Sequence, residues 1–255
     1  MKFSANLGFL WADLPLPDAI RAAKAGGFDA VECHWPYDYR AADILAVLQE
    51  TGLPICALNT RRGDVAMGEN GLAALPGREA EARAAIDEAV RFAAAVRAGA
   101  VHVMAGIASG AQAQACFLDN LAYACDQAAP HGLTILIEPL NRHDAPGYFL
   151  RTTGQARALI ATAGRHNLKL MFDCYHVART EGDVTMRLAD LLPVIGHIQC
   201  AGVPDRGPLD RGELNYDAVF ATLKALGWQA PLGAEYRTNG PTEQTLGWLR
   251  RQKAR

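Results

Sequence analysis

Four oxygen-bearing side chains stand out in the second half of the sequence: Glu138, Asp173, Gln199 and Glu235. Each sits in or beside an apolar run: Ile135-Leu136-Ile137-Glu138-Pro139, Met171-Phe172-Asp173, His197-Ile198-Gln199 and Gly233-Ala234-Glu235. A buried, unpaired carboxylate is very costly, so three of them in one place need a cation or a shared proton. Three carboxylates and an amide carbonyl form a hard oxygen set, which suits Mg2+ or Mn2+ better than a thiolate-seeking metal. The competing expectation is that each carboxylate pairs separately with an Arg or Lys beneath a helix. Four such residues on successive apolar runs favour the shared site. His176, three residues after Asp173, is either a solvent-facing loop residue or a donor to a substrate oxygen that stabilises an enediolate. Arg206, in Gly202-Val203-Pro204-Asp205-Arg206-Gly207, is either a solvated loop residue or a bidentate clamp for a substrate carboxylate. Arg61 and Arg62 are weaker candidates for the same role. His197 shares the strand parity of Gln199 and reads as a packed residue or a partner of a ligand rather than a ligand. His102 divides the same way, and His131, His143 and His166 read as surface residues. Trp11, Trp35 and Tyr37 either line a pocket or simply pack.

These residues need a scaffold, and the pattern supplies one. Short runs rich in Val, Ile, Leu and Phe predict strands at Lys2–Leu7, Phe28–His34, Pro54–Thr60, Ala100–Gly106, Leu133–Leu140, Leu168–Tyr175, Ile195–Gly202 and Pro231–Arg237. Continuous apolar runs suit strands buried on both faces of a parallel sheet. Helical patterns alternate with them: Asp18–Gly26, Ala41–Thr51, Pro76–Arg97, Gln112–His131, Thr153–Ala163, Asp183–Leu192, Tyr216–Leu226 and Thr242–Lys253. Most end at a glycine before the next strand. Eight strands alternating with eight helices predict one (β/α)8 barrel over residues 1–255, with polar residues at the C-terminal strand ends facing the active site. The segment Arg61–Leu75 carries three glycines and no clear period, and reads as a long loop on that face.

Composition narrows the partners. The 255 residues are half hydrophobic and one-fifth charged, with a net charge of -2. That size suits a single barrel. The scattered basic residues give no reason to expect nucleic acid. Met1–Leu7 turns polar too early for a signal peptide, and no apolar stretch reaches the ~18 residues a membrane span needs. Six cysteines without a C-x-x-C pair read as free thiols in a reducing cytoplasm. A homo-oligomer is compatible with the sequence, which does not specify an oligomeric state.

Several segments together resemble a known family. They include Phe3-Ser4-Ala5-Asn6-Leu7, Gly27-Phe28-Asp29-Ala30-Val31-Glu32, Pro36-Tyr37-Asp38-Tyr39, Gly63-Asp64 with Gly68-Glu69, and Pro76-Gly77-Arg78-Glu79. The most specific are Ile137-Glu138-Pro139-Leu140-Asn141, Pro146-Gly147-Tyr148-Phe149-Leu150, Asp173-Cys174-Tyr175-His176, Gly196-His197-Ile198-Gln199, Gly212-Glu213-Leu214-Asn215-Tyr216 and Glu235-Tyr236. In this order, nearly end to end, the chain resembles the hydroxypyruvate isomerases of the xylose-isomerase-like TIM barrel superfamily, which also holds the ketose 3-epimerases. The resemblance implies that Glu138 binds metal and serves in acid–base chemistry. It implies that Asp173 and Gln199 are ligands, that Glu235 is the second acid–base glutamate, and that His176 and Arg206 contact substrate. Three stretches depart from the family: Gly202-Val203 replaces an acidic residue and an Asn, Gly207-Pro208-Leu209-Asp210-Arg211 replaces a Glu-Pro-Gly-Thr run, and Asn59-Thr60-Arg61-Arg62 differs. All lie where a substrate tail would sit.

The resemblance therefore implies interconversion of hydroxypyruvate and tartronate semialdehyde by metal-assisted proton transfer through an enediolate. A 2-oxo-tetronate is the nearest alternative substrate. A ketose 3-epimerase and an inosose-type dehydratase are further alternatives. A DNA-repair endonuclease would want a histidine-rich zinc site and a basic face, and a non-catalytic binding protein would not need two glutamate bases.

Overall fold

The computed structural model describes residues 1–254. Eight parallel strands close on themselves: β1 (Phe3–Asn6), β2 (Ala30–Cys33), β3 (Ile55–Asn59), β4 (Ala100–His102), β5 (Thr134–Ile137), β6 (Leu168–Asp173), β7 (Ile195–Cys200) and β8 (Leu232–Ala234). The ring is completed where β8 returns to β1, with Phe3 beside Leu232, Ser4 beside Gly233 and Ala5 beside Ala234. This is the TIM barrel expected from the alternating pattern.

The surrounding helices are α1 (Leu16–Ala25), α2 (Ala41–Thr51), α3 (Glu79–Val96), α4 (Gly110–Ala128), α5 (Thr153–Ala163), α6 (Cys174–Thr180), α7 (Val184–Leu191), α8 (Tyr216–Ala225) and α9 (Gly247–Lys253). Left-handed glycines stop α2 at Gly52 and α5 at Gly164. At the end of α3 the left-handed position is taken by Arg97 instead (φ 59°), two residues before the glycine the sequence suggested. Sheet and helices bury one large aliphatic and aromatic core. A separate small cluster of Ala57, Ala100, Leu136 and Met171, one residue from each of β3 to β6, packs by itself.

That cluster sets the inward parity of the strands. Two residues after Leu136 comes Glu138, and two after Met171 comes Asp173. Side chains alternate across a strand, so both carboxylates share the inward side with the cluster, at the C-terminal end. Three expectations need correction. The fourth strand ends at His102 rather than Gly106, because the chain beyond it joins neighbouring loops through bridges of Gly71 with Ala105 and of Ile107 with Tyr148. The sixth strand ends at Asp173, and Cys174, Tyr175 and His176 begin α6. The last helical pattern breaks into a 3-10 turn at Thr242–Thr245 followed by α9.

Candidate active site

Asp173 shows how local sequence builds the site. It is the N-cap of α6, and its Oδ1 accepts the backbone N–H of Tyr175 at 2.8 Å, a standard way to satisfy a helix start. Its other oxygen, Oδ2, has no hydrogen-bond partner although it is buried. One turn into α6, His176 is 2% exposed, so it is not a solvent-facing loop residue. Glu138, Asp173 and His176 each offer an atom within 4.8 Å of the others.

The remaining residues singled out by the sequence come to the same place. Glu235 stands one residue past β8, and Gln199 one residue before the end of β7. Arg206 reaches across: its guanidinium lies 3.3 Å from Glu235 Oε2 and 3.6 Å from Asp173 Oδ2. It sits over the ring of Phe9 at 4.6 Å and is 8% exposed, so it is no solvated loop residue. Glu138 Oε1, Asp173 Oδ2, Gln199 Oε1 and Glu235 Oε2 are all buried and without a hydrogen-bond partner. Buried polar oxygens are rarely left so. One from each of four successive strands β5 to β8 is the donor set that a hard divalent cation would satisfy.

The electrostatics agree with that need. Burial, with the charges of Glu235 and Asp173, raises the Glu138 carboxyl well above its ordinary range. Burial likewise pushes Asp173 to about 7, against the opposing pull of Arg206. Three carboxylates sharing one guanidinium leave an excess of negative charge.

His176 plays a different part from the carboxylates. Its Nδ1 accepts the backbone N–H of Asn141 at 3.0 Å. Burial, with Arg206 and Arg179 nearby, pushes its pKa well below the ordinary value, so the ring is neutral and its proton is on Nε2. That Nε2–H faces Glu138 Oε1 at 3.8 Å and Asp173 Oδ2 at 3.7 Å. In this tautomer His176 presents a donor to the site.

Sequence reasoning missed two supporting residues. His34 Nε2 donates to Glu235 Oε1 at 3.2 Å. Its ring fills the space beside Gly8, where a Cβ would lie 2.1 Å from His34 Nδ1. Glu32, named in the sequence only within the Gly27–Glu32 segment, accepts the amide N–H of Gln199 at Oε2, 2.8 Å away. It also accepts the Ser4 hydroxyl and lies 3.1 Å from His197 Nε2. Burial pushes Glu32 up, but His197 and these hydrogen bonds together hold it below the ordinary range. The available signal was the inward parity of Glu32 on β2. His197 accordingly serves Glu32, and His102 Nδ1 lies 3.7 Å from Glu138 Oε2. Burial, with His34 nearby, takes His102 down to about 3. Of the weaker arginines, Arg61 is tied to Glu88 at 2.6 Å. Arg62 stacks on Trp35 at 4.0 Å and makes no ion pair among the described residues.

Comparison with known proteins fits this geometry. Residues 20–252 match the family described as xylose isomerase-like TIM barrel. The chain is 45% identical over 253 residues to the 2-oxo-tetronate isomerase of Cupriavidus necator, covering 98% of this chain and 97% of that one. It is 36% identical to the hydroxypyruvate isomerase of Escherichia coli, covering 98% of each. A crystal structure named AP endonuclease, family 2, from Brucella melitensis superposes with a TM-score of 0.94 at 37% identity, covering 98% of each chain.

Proposed function

Because this chain belongs to the xylose isomerase-like TIM barrel family, alongside the hydroxypyruvate and 2-oxo-tetronate isomerases, we propose that it isomerises a small 2-oxo hydroxy acid by metal-assisted proton transfer, with hydroxypyruvate and tartronate semialdehyde as the pair. The observation that carries this reading is the set of four buried oxygens without a hydrogen-bond partner on Glu138, Asp173, Gln199 and Glu235, with Glu138 and Asp173 grouped within 4.8 Å of each other and of the donor His176.

Those four residues would hold Mg2+ or Mn2+. The ion, when bound, supplies Lewis-acid polarisation of the substrate carbonyl and offsets the charge of the enediolate. The protein's own groups do the rest. One of Glu138 and Glu235 takes the proton from the hydroxyl-bearing carbon, and the proton returns to the neighbouring carbon. The second glutamate moves the proton between the two substrate oxygens, so the product is an isomer of the same mass. His34 and Arg206 hold Glu235 in place from its two oxygens. The Nε2–H of His176 stabilises the developing oxyanion. Arg206, 3.3 Å from Glu235 and 3.6 Å from Asp173, also offers its guanidinium to a substrate carboxylate. Glu138, Asp173, Gln199, Glu235, His176 and Arg206 are each at most 8% exposed, a lining that limits water and strengthens each interaction.

A 2-oxo-tetronate is the second reading, favoured by the 45% identity to an enzyme of that name. A nuclease reading finds less support, since β7 brings an amide rather than a histidine to the donor set and the net charge is -2. No helix among the described residues is long and apolar enough to cross a membrane, and we place the reaction in the cytoplasm. The test is proton NMR in D2O with Mg2+, offering hydroxypyruvate and 2-oxo-tetronate side by side. Conversion to an isomer of unchanged mass is expected, and the faster substrate identifies the tail pocket. Loss of water would point to a dehydratase. No conversion of either by protein with bound metal would overturn the proposal.

A further inference from the structure

Gln199 presents a problem that the carboxylates do not. A carboxylate offers oxygen from either side, whereas an amide offers oxygen from one end and N–H donors from the other. The two ends are nearly equal in size, so packing alone does not choose between them. If the nitrogen faced the site it would add donors where a cation needs an acceptor.

We infer that Glu32 is a positioning residue for Gln199: its carboxylate takes the amide nitrogen and so turns the amide oxygen toward the carboxylates of the site. This rests on the metal-centred reading above. Gln199 Nε2 donates to Glu32 Oε2 at 2.8 Å, and Gln199 Oε1 is the atom left without a partner. An ionised carboxylate only accepts, so the nitrogen is the one end of the amide that can face it. Glu32 is itself held from its other side, where Oε1 accepts the Ser4 hydroxyl and His197 Nε2 stands 3.1 Å away. With both oxygens engaged, Glu32 is not among the atoms awaiting a ligand. Both Glu32 and Gln199 are at most 3% exposed, so water does not compete for these bonds.

The fold reserves room for this pair. Gly233 stands beside Gln199 in the sheet, and a Cβ there would lie 2.4 Å from Glu32 Oε1 and 2.8 Å from Gln199 Cγ. Any side chain at 233 would push the two apart. Four strands, β1, β2, β7 and β8, thus meet to aim one amide.

The experiment is a calorimetric titration of metal-stripped protein with Mn2+, using wild type, Glu32→Gln, Gln199→Ala and the double variant, with Asp173→Asn as the control for a lost ligand. Loss of an outer partner of a ligand commonly costs about 10–100-fold in metal affinity. Glu32→Gln should fall in that range. In the Gln199→Ala background the same change should alter affinity by less than about twofold, because the residue it positions is gone. Penalties that add in the double variant would mean Glu32 acts independently of Gln199, and would overturn the inference. Wild-type binding with an unaffected Glu32→Gln would overturn it while leaving the metal site standing. Absence of Mn2+ binding by wild type would bring down both. If Glu32→Gln fails to fold by circular dichroism, Ser4→Ala takes its place, removing one hydrogen bond to Glu32 and giving a smaller loss that likewise vanishes without Gln199.

Discussion

Replacing Glu138 by Gln should make the metal-free protein more stable and the enzyme inactive. In the absence of an ion, Glu138 Oε1 has no partner and shares a space within 4.8 Å with an oxygen of Asp173. Two unit charges at that separation repel by about 3–4 kcal/mol at an effective dielectric of about 20. Protonation sets a second limit. The Glu138 carboxyl is raised well above 4.5, so the folded state holds a proton that the unfolded state releases. Such a group costs nothing below the unfolded pKa and destabilises the fold progressively as pH rises above it. By pH 7 that cost reaches at most about 3 kcal/mol. A glutamine removes the charge and offers N–H donors near the carboxyl of Asp173, whose Oδ2 has no hydrogen-bond partner. A net gain of about 1–3 kcal/mol at pH 7 follows, or several degrees in Tm for a chain of this size. The gain should shrink toward zero near pH 4.5. Thermal scans in EDTA across pH 4.5–8 measure it. Adding Mn2+ should then stabilise wild type by about 3 kcal/mol at a hundredfold excess over Kd, and the variant by less. Turnover by the variant should drop at least about 10²-fold. A Glu138→Gln protein less stable than wild type in EDTA at pH 7 would refute the reasoning, and would make Glu138 a structural acceptor, for instance for His102.

Three further outcomes follow from the same geometry. Glu235→Gln should lower kcat at least about 10²-fold with little change in KM, measured by steady-state isomerase assay; near-wild-type turnover in both glutamate variants would remove them from the chemistry. Gly8→Ala places a Cβ 2.1 Å from His34 Nδ1, so His34 must release Glu235. Its kcat should fall about tenfold or more while circular dichroism stays unchanged, and an unaffected kcat would show that His34 does not position Glu235. Dialysis against EDTA should abolish turnover and Mg2+ or Mn2+ should restore it, with metal content followed by mass spectrometry; full activity in metal-free protein would end the metal-centred reading.

How much of this was legible in the sequence depended on the kind of residue. The barrel was legible because each strand is a continuous apolar run and several helices stop at glycine. Glu138, Asp173, Gln199 and Glu235 were legible because carboxylates and an amide beside such runs are costly without a shared partner. What escaped was whatever depends on an encounter between distant segments. Nothing near Glu32 in the chain announces Gln199, 167 residues away, and nothing near His34 announces Glu235. The short helix α6 escaped because Leu168–Tyr175 reads as one strand, apolar on both sides of Asp173. Only the capping role of Asp173 reveals that the chain turns helical there, which moves His176 from a loop into the lining.

The way β8 closes against β1 bears on how the molecule is assembled. A chain folded only through β6 would already hold Glu32, Glu138 and Asp173, with the unpaired edges of β1 and β6 open to other chains. It would lack Arg206, the guanidinium that answers Asp173 and Glu235. The last two strands thus bring the counter-charge and the ring closure together, and an intermediate without them carries both an acidic interior and two sticky edges. Closure joins residues as far apart as Phe3 and Leu232, a contact of high sequence separation that is slow to form. Substitutions along that seam at positions other than Ser4 and Gly233 should therefore register first as slow or aggregation-prone folding, with molecules that do complete the ring turning over normally.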